Sequence, residues 1–454
     1  MSAKKFLCVT LVLALMVFAF SGCGGSSHNN FSSTNNENQE QQQDQEQEQE
    51  NQNQDDGTDD NTGTGTEYSA TGSDEHAINA NDSTQTYTYN NISVTKTGDS
   101  SGEDADFYGT NAAVIAQDGA ALTITNSKIT TNGSYANAVF CYGGSSSSNN
   151  GGNGGTPPAM PGRISATGDG STVNISDSVI TTSSNNSGGI MVTGGGVLKA
   201  SDLTITTSGG SSAAIRSDRG GGTMTVSGGT YTTSGKGSPA IYCTADISVS
   251  AADLESKVAQ GVVIEGSNSV TLDQCNLTAN HTKLNGQDSS YQGVMIYQSG
   301  SGDASSGTGT FTMDGGTLTN ANGAVFFVTN TTANIALSDV TITNNDSNNV
   351  LLNAASAAWG SSGSNGGKVT FTASGQTLAG SMNIDSSSTL NLTLSDSSTF
   401  NGAINTANSG ASISVTIEAG STWTLTGNSY VTSLTNNGTI NQGSYTLYVN
   451  GTAY

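Results

Sequence analysis

Apolar residues recur in this chain in one fixed pattern, apolar-x-apolar followed, after four intervening residues, by a third apolar position. It fits Leu122/Ile124/Ile129, Val173/Ile175/Ile180, Leu198/Ala200/Ile205, Met224/Val226/Tyr231, Ile247/Val249/Leu254, Val270/Leu272/Leu277, Phe311/Met313/Leu318 and Ile335/Leu337/Ile342. The middle positions from Ile175 to Leu272 lie 25, 26, 23 and 23 residues apart, and the ladder runs on at 23 through Val369/Phe371, Leu392/Leu394 and Val415/Ile417. A second apolar strand precedes each copy, centred on Val114, Val139, Ile190, Ile215, Ile241, Val263, Met295, Val325 and Leu351. Alternation of period 2, polar turn residues between the runs and a repeat of this length predict three short strands per coil of a solenoid. The predicted fold is all-β, a right-handed parallel β-helix of about twelve coils, roughly 58 Å long at about 4.8 Å per coil.

Ahead of the repeats, Lys4 and Lys5 precede an apolar run from Phe6 to Phe20, and Phe20-Ser21-Gly22-Cys23 follows. That is the layout of a secretory signal with small residues before the cleavage point. It resembles a bacterial lipoprotein signal, with Phe20 where Leu is usual. The resemblance implies that residues 1–22 are removed and that Cys23 carries diacylglycerol, whose two chains hold a protein stably on a bilayer. Residues 23–75 read as a disordered tether, Gln- and Asn-rich with 13 acidic residues between Glu37 and Glu75, too polar to offset ordering entropy. Residues 76–454 are then the β-helix domain, displayed at the cell surface and touching the membrane through its lipid alone.

Composition sharpens this picture. Only 33% of the 454 residues are hydrophobic and 11% charged, with 59 Gly and 4 Pro, which excludes a long helical domain. A net charge of -24 repels a phosphate backbone, so nucleic acid is excluded as a partner. Cys141 and Cys243 fall in one inward column four coils apart, about 19 Å, beyond the reach of a disulfide. They and Cys275 are expected to be free.

The repeats resemble the pectin-lyase-like superfamily of right-handed β-helices, specifically the adhesin-like surface proteins of bacteria, over residues 76–454. The stretch from Ser421 to Asn441 is similar to repeats in autotransporter passenger domains. That superfamily contains lyases, hydrolases and binders, so function has to be read from outward side chains.

With the centres of the preceding strands facing in, the first outward column reads Ile115, Phe140, Met191, Arg216, Tyr242, Ile264, Ile296, Phe326 and Leu352. The second reads Gln117, Tyr142, Thr193, Asp218, Thr244, Gly266, Gln298, Val328 and Ala354. So apolar a stripe is either covered by loops or occupied by a ligand. Long insertions flank it, Gly143–Gly162, Ser299–Gly309 and Ser356–Gly367 at one corner, Gly98–Gly109 and His281–Gln292 at the other. They suggest a cleft for a linear polymer, with Tyr142, Tyr242, Tyr291, Tyr297 and Trp359 as stacking surfaces and Arg216 and Asp218 as polar contacts.

Arg216 invites comparison with β-helix lyases, which use an arginine base beside acidic calcium ligands. No acids stand at the neighbouring outward positions, however, and no second aspartate pair suits a hydrolase. Asp99, Glu103, Asp104 and Asp106 form an acidic loop able to attract calcium, although its spacing matches no EF-hand. The leading expectation is a monomeric, lipid-anchored adhesin or polysaccharide-binding module without catalytic residues. A lyase or hydrolase and a purely structural surface stalk are the alternatives.

Overall fold

The computed structural model describes residues 65–144 and 168–454. Three parallel sheets run the length of the molecule, and successive coils contribute one strand to each. Sheet A has 10 strands, from Thr66–Ala70 to Thr341–Asn344. Sheet B has 11, from Ile78–Ala80 to Ser381–Ile384, and sheet C has 13, from Thr86–Asn90 to Ser433–Asn436. Near the end the A face continues as a four-stranded sheet from Thr377–Ala379 to Thr439–Asn441, and the chain finishes in a three-stranded sheet. The architecture is the expected right-handed parallel β-helix, with thirteen rungs on its longest face. It starts earlier than expected: Thr66–Ala70 lies in the stretch assigned to the tether, yet pairs in parallel with Ile92–Lys96. The signal segment, Cys23 and the rest of that tether lie outside the described residues.

The apolar ladder is the core. Leu122, Val173, Leu198, Met224, Ile247 and Val270 stack rung over rung in sheet C, each fully or almost fully buried. Between sheets C and A the chain turns at one or two left-handed residues per coil. Asn126, Asp177, Asp202, Ala251, Gln274 and Asp339 all have φ near +50°, and Gly228, Gly315 and Gly375 take the equivalent places. Asn, Asp and Gly pay least for this conformation, which is why they recur there.

At the A-to-B corner the buried amides are satisfied by a hydroxyl ladder. Ser187 N–H donates to Ser212 Oγ at 2.9 Å, and Ser212 N–H donates to Ser238 Oγ at 2.9 Å. Thr182, Thr207 and Thr233 point inward at the same corner and donate to the carbonyls of Ser187, Ser212 and Ser238. A chain this rich in Ser and Thr can therefore bury polar residues without leaving backbone groups unpaired.

Cys141, Cys243 and Cys275 are free and buried. Cys141 and Cys243 share an inward column, through Val192 and Ser217. They stand three rungs apart rather than the four expected, about 14 Å, still too far to bridge.

Candidate functional site

The functional question turns on the outward face of sheet B. Phe140 pairs with Met191, Met191 with Arg216, and Arg216 with Tyr242, as the sequence predicts. From the next coil the observed column departs by one residue from the expected one. Tyr242 pairs with Val263, Val263 with Met295, and Met295 with Phe327. These face outward, whereas Ile264, Ile296, Phe326 and Leu352, expected outside, are buried in the central core. In the second column Glu265, Tyr297 and Thr329 replace the expected Gly266, Gln298 and Val328, and Ala354, paired with Val328, also faces the core. The runs Val262-Val263-Ile264 and Val325-Phe326-Phe327-Val328 are apolar on both faces, so their alternation carries no parity.

The stripe is covered, not open. Residues Glu103–Phe107 of the Gly98–Gly109 insertion form a short helix, whose Phe107 carbonyl accepts from Thr193 Oγ1 at 2.7 Å. Beneath it Ile115, Phe140, Tyr142 and Met191 form a buried cluster with Tyr108, which meets Tyr142 edge to face at 5.6 Å. Gly109 sits so close that a Cβ there would lie 2.7 Å from the Phe140 ring.

Farther along, Val263, Met295 and Phe327 are covered by Tyr242, Tyr297, Ala355, Ala357 and Trp359. The Ser356–Gly367 insertion is held in place by Asn365 Nδ2, which donates to the carbonyls of Ala357 (2.7 Å) and Trp359 (2.6 Å). Of the Gly143–Gly162 insertion only Gly143 and Gly144 lie within the described residues.

Between the two apolar clusters lies a buried ionic cluster. Arg216 donates to Asp106 Oδ1 at 2.9 Å and to Asp218 Oδ2 at 3.1 Å. Arg219 pairs through Nε with Asp303 and lies over the Phe107 ring at 3.8 Å, a cation-π contact. Arg216 is 8% exposed and Asp218 5%, so neither presents itself to a polymer in solvent.

Burial works against the Arg216 charge, but Asp106 and Asp218 outweigh it and hold the guanidinium protonated. Burial pushes the Asp218 carboxyl up to about 7, with Arg216 opposing and Asp303 and Asp106 adding to the rise. Asp106 is raised for the same first reason. Sequence reasoning paired Arg216 with Asp218 but missed Asp106 and Asp303. They sit 110 residues before Arg216 and 84 after Arg219 and enter on insertions whose course no periodicity encodes.

Two members of the acidic loop have partners within the protein. Asp106 turns inward to Arg216 while Asp99 Oδ1 accepts from Ser134 N–H at 2.7 Å. Among the described residues no three His, Cys, Asp or Glu are grouped to hold a metal ion.

Glu265, on the strand Val262–Glu265, organises the remaining candidates. Its Oε2 accepts from Tyr242 Oη at 2.8 Å and Tyr297 Oη at 2.9 Å, and its Oε1 accepts from the Ser299 hydroxyl. Burial, and then the Glu265 charge, push both phenols well above their ordinary range. Tyr297 meets Trp359 edge to face at 5.1 Å. Tyr242, Tyr297 and Trp359 stay partly exposed, so the structure unites three of the seven predicted contacts around a carboxylate the sequence reading had not placed.

Tyr291 is not among them. It precedes the strand Gln292–Tyr297 while Tyr297 ends it, about 20 Å away along an extended chain. Tyr291 is 39% exposed and packs edge to face on His281 at 5.3 Å. His281 is buried, its Nδ1 accepts from Gln292 N–H at 3.2 Å and its Nε2 lies 3.8 Å from Asp288. Burial lowers its pKa against the pull of Asp288.

No protein-family model matches this sequence, and no curated protein or solved structure is significantly similar to it.

Proposed function

We propose that this chain is a lipid-anchored, surface-displayed polysaccharide-binding protein of the adhesin type, without catalytic activity. Its first glycan contact is the rim formed by Tyr242, Tyr297 and Trp359. The observation that carries this reading is the fixing of two tyrosines by one buried carboxylate beside a loop-held tryptophan. Aromatic faces set in advance lose little entropy when a sugar ring stacks on them. Lipidation at Cys23 and a polar tether supply the display.

The lyase alternative is disfavoured by the burial of Arg216 and by its two carboxylate partners, which leave no free base for substrate. Binding to immobilised glycans by wild type and Trp359→Ala tests the proposal. Weakened binding in a variant that still folds cooperatively supports it. Absence of binding by the wild type favours the structural stalk, and release of oligosaccharide from polygalacturonate favours the lyase.

A further inference from the structure

The stripe on sheet B does not stop where the insertions cover it. Its outward column continues through Asn353, which pairs with Asn383. Next comes Asn405, whose N–H donates to Met382 O at 2.9 Å and whose Nδ2 donates to Tyr430 O at 3.2 Å. The column ends at Tyr430, which pairs in parallel with Tyr448. The two tyrosine rings stack at 4.8 Å and 5°.

Their neighbours Val431, Val449 and Leu447 belong to or pack against the core, whereas neither ring joins an apolar cluster. Only Asn450 and Gly451 separate Leu447–Val449 from the strand Thr452–Ala453, and among the described residues no insertion lies over the pair. Among the described residues neither hydroxyl has a hydrogen-bond partner, and both side chains are partly exposed. Tyr445, three residues before Tyr448, is 42% exposed, and Asn383 presents an exposed carboxamide on the same column. Charge changes here as well. In a chain of net charge -24, no Asp, Glu, Lys, Arg or His follows Glu418.

We propose that the Tyr430–Tyr448 stack is a binding site for a neutral polysaccharide, separate from the Tyr242–Tyr297–Trp359 rim. Stacked rings offer a flat apolar edge and two free hydroxyls, and the asparagine offers paired donor and acceptor, as an uncharged sugar requires. An acidic polymer gains no counter-charge at this end, and the acidic body repels it. Two sites on one rigid rod let a long polymer engage twice. The proposal rests on the polysaccharide-binding reading for its ligand class but not for its residues.

Affinity electrophoresis of the full chain through native gels containing laminarin, galactomannan or polygalacturonate tests it, with light scattering alongside. At least one neutral polymer should retard the wild type, polygalacturonate should not, and Tyr430→Ala/Tyr448→Ala should weaken retardation about tenfold. Trp359→Ala should keep a residual retardation that the tyrosine pair supplies. Tyr430→Phe/Tyr448→Phe retains the stack, so if the alanine pair unfolds, partial loss in the phenylalanine pair supports the site and full retention overturns it. Wild-type retardation in the folded alanine pair also overturns it.

Loss confined to Trp359→Ala removes this site and leaves the rim standing; loss confined to the tyrosine variants does the reverse. A dimer dependent on the tyrosines, without retardation by either neutral polymer, makes the surface a self-association face and overturns the proposal.

Discussion

Replacing Arg216 by methionine should destabilise the protein rather than impair a contact with ligand. Arg216 pairs with both Asp106 and Asp218, and all three are at least nine-tenths buried. Removing one partner of a buried pair leaves an uncompensated charge and costs about 3–5 kcal/mol. For a cooperative unit of the size described, unfolding entropy is on the order of 0.8 kcal/mol per kelvin, so the melting temperature should fall by about 4–6 °C.

The pH dependence has a definite sign. Asp218 is raised from 3.8 to about 7, so between these values the native state binds more protons than the unfolded chain. Stability therefore declines as pH rises through that window. Without Arg216 the two carboxyls rise further, so the deficit of the variant should be small near pH 4 and largest near pH 8. Asp106→Asn/Asp218→Asn in the Arg216→Met background should recover most of the loss. Differential scanning fluorimetry across pH measures all of this, and a variant melting with the wild type at pH 8 would refute the assignment of Arg216 as a structural ion.

Three further outcomes are expected. The thiols of Cys141 and Cys243, pushed up to about 12 by burial, should resist a chromogenic disulfide reagent in the native protein and react on unfolding, and peptide mapping should find no disulfide among them and Cys275. Ala251 holds φ +50° at a corner where glycine pays no penalty, so Ala251→Gly should stabilise by about 0.5–1 kcal/mol, read from denaturant midpoints. Cys23→Ala should release the protein from the membrane fraction or leave an unprocessed precursor, and unchanged mass with unchanged retention would remove the lipid anchor.

The covered stripe explains why polymer binding is assigned to rims and ends. Phe140 and Met191 read from sequence as a hydrophobic floor awaiting a ligand; they are the floor of the protein's own loops. Tyr242, Tyr297 and Trp359 at the edge of one loop stay partly exposed, as do Tyr430 and Tyr448.

Sequence alone determined the solenoid, because a repeat of 23 to 26 residues with period-2 alternation leaves few ways to bury Leu122, Val173, Leu198 and their successors other than stacking them. It also determined that Cys141 and Cys243 stand apart, since rung spacing is set by the backbone. Tertiary structure decided the parity of strands such as Val262–Glu265, where apolar residues on both faces erase alternation and only pairing with Tyr242 selects Val263 as outward. It alone brought Asp106 and Asp303 to Arg216 and Arg219, because the insertions carrying them follow no period and fold wherever charge and apolar surface need cover. Glu265 became legible as an outward carboxylate only once that parity was known, and with it the pair of phenols it holds.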